Sequence, residues 1–166
     1  STVHNCDSDG NIAGATDVGG IVGYNNYATV KYCNNSATIN GTGYYVGGIA
    51  GRNSQSDALV NHSYNTGSIT GSSDRVGGVV GQNTNSATVS NCYNTGTISG
   101  AAETGGVIGQ NAYSGILTTS YNSGAVSASG DRIGGLTGYN HNGSSIANSY
   151  NKGSVTGSGS NRRCGF

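Results

Sequence analysis

The chain has 166 residues with seven basic and seven acidic side chains, so it lacks the basic patch that a nucleic-acid backbone requires. It holds 31 glycines, no proline, tryptophan or methionine, and a single phenylalanine, Phe166, which leaves too few large side chains for a broad core. Glycine does not fall at every third place, which excludes collagen, and no apolar run approaches membrane-spanning length, so membrane insertion is not expected.

A chain opening at Ser1 without methionine reads as a mature or excised segment, in which missing export signals say little. Residues 1–14 form an incomplete repeat ending in VHNCDSDGNIAG, Val3–Gly14. From there two phrases alternate. The first is VGGIVGYN at Val18–Asn25, VGGIAGRN at Val46–Asn53, VGGVVGQN at Val76–Asn83, TGGVIGQN at Thr104–Asn111 and IGGLTGYN at Ile133–Asn140. The second follows each time, at Val30–Gly41, Val60–Gly71, Val89–Gly100, Leu117–Ala128 and Ile146–Gly157. The glycine pairs are Gly19-Gly20, Gly47-Gly48, Gly77-Gly78, Gly105-Gly106 and Gly134-Gly135, their leading members 28, 30, 28 and 29 residues apart. Such a period marks a solenoid, whose units bury their apolar faces only by stacking. The repeats occupy 15–157 and the tail 158–166, all in one array of about five coils.

Within one unit three short extended stretches are predicted: the glycine phrase, the run from Val30 toward Cys33, and the segment around Ile39. Glycine and asparagine separate them, as where a chain turns with positive φ. Three strands and three corners in 27–30 residues describe an all-β fold, a three-sided parallel β-helix expected to be right-handed. Stacked at about 4.8 Å per coil, the array would be about 24 Å long. Three columns of branched aliphatics fit its interior. They are Val3, Val30, Val60, Val89, Leu117, Ile146; Ile12, Ile39, Ile69, Ile98, Val126, Val155; and Ile21, Ile49, Val79, Val107, Leu136. The glycine pair lets one wall approach the others. Asn25, Asn53, Asn83, Asn111 and Asn140 close the first phrase and Asn35, Asn65, Asn94, Asn122 and Asn151 lie in the second. Stacked asparagines bond along a ladder and tolerate a left-handed corner, so both columns are structural.

Little else points to chemistry. Cys6, Cys33 and Cys92 share a repeat position with Ser63, Ser120 and Ser149. Neighbouring coils would set the Cα atoms of Cys6 and Cys33 about 4.8 Å apart, within disulfide range; the alternative is a column of small buried thiols. Cys164 falls outside the pattern, and no CxxC pair supports a metal site. His4, His62 and His141 share no motif, and the acids are too scattered for paired-carboxylate hydrolysis. Asp7–Asn11 resembles only the start of a calcium loop. No cofactor is implied. Tyr64, Tyr93, Tyr121 and Tyr150 form a column that, facing outward, would suit sugar rings or a partner surface; the alternative packs them over a corner. Tyr24, Arg52, Gln82, Gln110 and Tyr139 share a mixed column expected to face solvent, as are the Asp74-Arg75 and Asp131-Arg132 corners.

The double phrase GGxxGxN followed by S/C-Y-N-x-G-x-I/V-x-G strongly resembles the GLUG repeat, from Val3 to Gly157, with Thr104, Asn34 and Asp7 as departures. GLUG repeats occur in large bacterial surface and secreted proteins, including adhesin-like chains and the non-catalytic parts of zinc-type immunoglobulin A1 peptidases. The resemblance implies a non-enzymatic extracellular segment and carries no catalytic residue onto this sequence. Expected roles are a stalk, spacer or adhesive surface touching a host or matrix protein, a carbohydrate-binding module using the tyrosines, or a substrate-recognition segment of a large secreted protease. Neighbouring domains of a longer chain would be its other partners. The tail Asn161–Phe166 is expected to blunt one end of the stack.

Overall fold

The computed structural model describes residues 1–159; the tail 161–166 and Cys164 lie outside them. The chain winds as a parallel β-solenoid in which every strand pairs with its counterpart one repeat away. Each coil contributes to five sheets rather than three. Taking one coil, the glycine sheet holds Val46–Gly47, the asparagine sheet Ala50–Ser54, the valine sheet Leu59–Asn61, the tyrosine sheet Tyr64–Asn65 and the isoleucine sheet Ile69–Gly71. The first two sheets have five strands and the others six.

Two features split the predicted stretches. In the glycine phrase, consecutive Ile49 and Ala50 are both fully buried, and both their N–H groups donate to the carbonyl of Val79. Side chains of an extended strand alternate between faces, so two successive inward residues demand a kink. In the second phrase His62 has φ 45°, bending the chain between the valine and tyrosine sheets. The same bend recurs at Asn5, Tyr32, Asn91, Thr119 and Asn148.

Left-handed backbone falls only partly where the sequence placed it: Asn5, Asn85, Asn91, Asn142 and Asn148 turn with positive φ, as expected of asparagine. Among the described glycines only Gly10 and Gly143 have positive φ, and the ladder asparagines have none. Tyrosine, arginine, glutamate, histidine and other residue types carry the remaining bends. The paired glycines serve close approach. A Cβ on Gly47 would lie 2.2 Å from the carbonyl oxygen of Ala50, and one on Gly48 2.2 Å from that of Gly78 and 2.6 Å from the Asn65 side chain. Gly20, Gly78, Gly106 and Gly135 meet Asn35, Asn94, Asn122 and Asn151 in the same way.

That contact pinches the coil. The Asn35–Asn151 ladder presses against glycine backbone across the interior, and the aliphatic core falls into two clusters. The columns of Val30 and Ile49 share the larger one, with an unforeseen inner row of Ala50, Val80 and Ile108. The Ile39 column packs in the smaller one against Val18, Val46, Val76 and Ile133. All three aliphatic columns read from the sequence face inward, and burying each such side chain contributes about 1.5–3 kcal/mol. Ile39, Ile49, Ile69 and Leu117 are fully enclosed, whereas Val3, Ile12, Ile146 and Val155 in the terminal coils are only half-buried.

Candidate functional site

The tyrosine sheet holds two residues per coil, so one side chain points in and one out. Asn65 and its counterparts point in; Tyr64, Tyr93, Tyr121 and Tyr150 point out. In-register parallel pairing places each tyrosine directly over the next. The rings stack with centroids 4.7, 5.0 and 5.2 Å apart and planes within 4° of parallel. Each internal face is covered by a neighbouring ring, leaving edges and hydroxyls for solvent. Toward the amino terminus the column continues as Asn34, whose amide donates to Asp7. At the other end Lys152 Nζ lies 5.3 Å from the Tyr150 ring. Burial between its neighbours raises the Tyr93 phenol above its ordinary pKa, with Tyr64 and Tyr121 adding to the effect.

Two further columns form a partly buried charged strip, although Tyr24, Arg52, Gln82, Gln110 and Tyr139 and the corners at Arg75 and Arg132 are expected to face solvent. Immediately before each glycine phrase stand Asp17, Tyr45, Arg75, Glu103 and Arg132; beside them on the asparagine sheet run Tyr24, Arg52, Gln82, Gln110 and Tyr139. Arg52 forks onto Asp17 through Nε at 2.9 Å and Nη2 at 2.7 Å, and its guanidinium lies between the Tyr24 and Tyr45 rings at 4.4 and 4.6 Å. Its pKa is raised chiefly by that hydrogen bond. Glu103, only 4 % exposed, accepts from Arg75 Nε and pairs with Arg132, each at 3.0 Å. Gln110 Nε2 also donates to Glu103. Arg75 donates to the Tyr45 hydroxyl, and Arg132 lies over Tyr139. A buried carboxylate without such partners would be strongly destabilising. The clue was present in the sequence: charge alternates down the column preceding each glycine pair, from Asp17 to Arg75, Glu103 and Arg132.

The cysteines follow the serines that share their position. Ser63, Ser120 and Ser149 donate to the carbonyl two residues back and accept the N–H of the preceding rung. Cys33 and Cys92 make the first of these bonds with their thiols, to Lys31 and Ser90 at 3.2 and 3.1 Å. Cys6 and Cys33 stand on adjacent rungs, each as a free thiol. Burial raises the Cys33 thiol and pushes Cys92 up to about 12, which keeps it protonated and unreactive.

Both asparagine columns form hydrogen-bonded ladders along the axis. Asn25, Asn53, Asn83, Asn111 and Asn140 are joined amide to amide at 2.7–2.9 Å, where the asparagine sheet turns toward the valine sheet. The outer side of the isoleucine sheet forms a shallow uncharged groove with the hydroxyls of Thr70, Ser99, Ser127 and Thr156. Among the described residues no group of three or more His, Cys, Asp and Glu could hold a metal ion, and no helix is long and apolar enough to cross a membrane.

The sequence profile of the GLUG motif matches residues 14–40, 72–99 and 129–156, half of the chain in all. The stretches between these matches hold the same columns in the same register. No curated protein and no solved structure matches the chain at a significant level.

Proposed function

Because the chain belongs to the GLUG-motif family, we propose that it is a non-enzymatic, extracellular module of a bacterial surface or secreted protein that acts as a stalk or spacer. The observation that carries this reading is the use to which the recurring residues are put. Aliphatic columns fill the interior, glycines pinch it, asparagines lace it, and even the arginines and acids pair with one another along the axis. Continuous sheets and ladders along one axis resist bending, and stability in such an array accumulates rung by rung. We read the coil as three-sided and right-handed. Three columns of left-handed corners per coil support the three walls, at positions such as Asn85-Ser86, Asn91 and Glu103, and the strong preference of parallel crossovers for one hand supports the winding.

A glycan array and a matrix-protein panel test the role. A spacer gives silence in both. Binding lost in Tyr93→Ala and Tyr121→Ala would overturn it in favour of a carbohydrate module, a reading weakened because sugars stack on ring faces and the tyrosine faces are taken by each other. Binding lost when the variable corners Thr42–Tyr45 or Ser72–Arg75 are changed would favour an adhesive surface or a protease's substrate-recognition segment.

A further inference from the structure

We propose that the Tyr64–Tyr93–Tyr121–Tyr150 stack is a site of oxidative cross-linking, at which a haem peroxidase and hydrogen peroxide join neighbouring rungs through dityrosine. The geometry is that of a waiting radical pair. Phenoxyl radicals associate face to face before they couple, and here each ring already lies parallel to the next at 4.7–5.2 Å. Backbone register fixes the pairing, since Tyr64, Tyr93, Tyr121 and Tyr150 are direct partners on successive strands. The edges that carry the oxygens reach solvent, so an oxidant has access: Tyr150 is 48 % exposed and the other three are half-buried. The inward neighbours Asn65, Asn94 and Asn122 are fully buried and tied along the axis, which holds the strands in place while the rings react.

Each phenol gives up one electron and its hydroxyl proton. Two adjacent radicals then form a carbon–carbon bond between positions ortho to oxygen. The two hydrogens on those carbons leave as protons, and the oxygens are reprotonated as the rings regain aromaticity. Two phenols thus lose two hydrogens in total, and the two electrons with two protons reduce one hydrogen peroxide to two waters. The product is a covalent rung-to-rung staple on the outside of the coil. It requires no change in the interior and would lock a spacer that works outside the cell.

The stack makes a graded prediction that isolated surface tyrosines do not. It contains three neighbouring pairs. Tyr93→Phe removes two of them and Tyr64→Phe removes one, so the initial rate of cross-linking should fall to about one third and about two thirds respectively. Dilute protein is treated with peroxidase and hydrogen peroxide, monomer is isolated, and dityrosine fluorescence, loss of two hydrogens by mass and the joined peptides are read. The expected product is a monomer with Tyr93 joined to Tyr64 or Tyr121, or Tyr121 joined to Tyr150, and denaturant abolishes the preference. Circular dichroism checks that the Phe variants, which keep the ring and lose only the hydroxyl, remain folded. Products that are mainly intermolecular through the more exposed Tyr27, Tyr32 and Tyr113 would overturn the proposal. So would equal rates in the two variants, or a monomer that loses no hydrogen.

Discussion

Two neighbours on one strand, Tyr93 and Asn94, face opposite sides of the same wall and obey different rules. Both stack in register on their counterparts above and below. The tyrosine column accepts substitution: its first places hold Asp7 and Asn34, and pairing continues through them. The asparagine column runs Asn35, Asn65, Asn94, Asn122 and Asn151, linked at 2.7–2.8 Å by Nδ2–H donating to Oδ1 of the next rung. Its second amide hydrogen is spent within the rung, as when Asn94 donates to the carbonyl of Gly96 at 2.8 Å. Outside, water satisfies whatever a side chain leaves unpaired. In the enclosed rungs the asparagine leaves no partner unanswered, where an unpaired buried polar atom would cost about 1–3 kcal/mol; only the half-buried first rung departs, with Ser8 opposite Asn35.

The harshest way to break the inner side is from the opposite wall. In Gly78→Val the new Cβ would fall 2.1 Å from the carbonyl oxygen of Gly106 and 2.5 Å from Cγ of Asn94. The first of these is backbone, which cannot swing aside. The expected outcome is a loss of more than about 4 kcal/mol, the range reserved for buried steric failure, seen as a coil that no longer melts cooperatively by circular dichroism. A melt within a few degrees of wild type would mean that the wall can separate and that the pinch does not hold the coil together.

Next in size is a paired comparison on the strand itself. Asn94→Leu strips the acceptor from Asn65 and the donor from both Asn122 and Gly96. Several stranded polar groups should cost about 3–5 kcal/mol by urea titration. Tyr93→Ala loses two stacking contacts but strands nothing in the dry interior, and should cost about 1–2 kcal/mol. Equal losses would dissolve the distinction between the two faces.

How much of this was legible depended on whether a feature lives in one column or in the fit between columns. The aliphatic rows and both asparagine ladders could be read because each is a single position repeated, and stacking alone turns it into a row. The pinch could not, since it requires knowing that Gly48 and Asn65, far apart in the unit, meet across the interior. For the same reason the division of the aliphatic core into two clusters was not legible. The corners misled because glycine is the usual bearer of positive φ, yet here the glycines were needed for proximity, and residues such as Tyr45, Arg75 and Glu103 turn the chain at φ 50–68°. Their side chains then lie along the outer edge in reach of one another. That explains why an apparently variable column became the partly buried strip of arginine, glutamate and tyrosine.

Thr104 tests the comparison with the smallest effect and the opposite sign. It occupies the inward column of Val18, Val46, Val76 and Ile133, is fully buried, and its hydroxyl has no hydrogen-bond partner. An unpaired polar atom on the inner side has no water to answer it, so this hydroxyl should be a net cost that the coil carries. Valine has nearly the same shape and fits the neighbouring rungs. Thr104→Val is expected to stabilise the protein by about 1 kcal/mol, the mutational cost of an unpaired buried hydroxyl, with the midpoint of urea unfolding moving up and its slope unchanged. A destabilised variant would show that the hydroxyl is in fact bonded, and that the interior of this column is wetter than its burial implies. A stabilised one would leave the asparagine ladder as the inner polar column that stabilises the coil, each enclosed amide answered by the next rung and by its own, with the Thr104 hydroxyl as the unanswered exception.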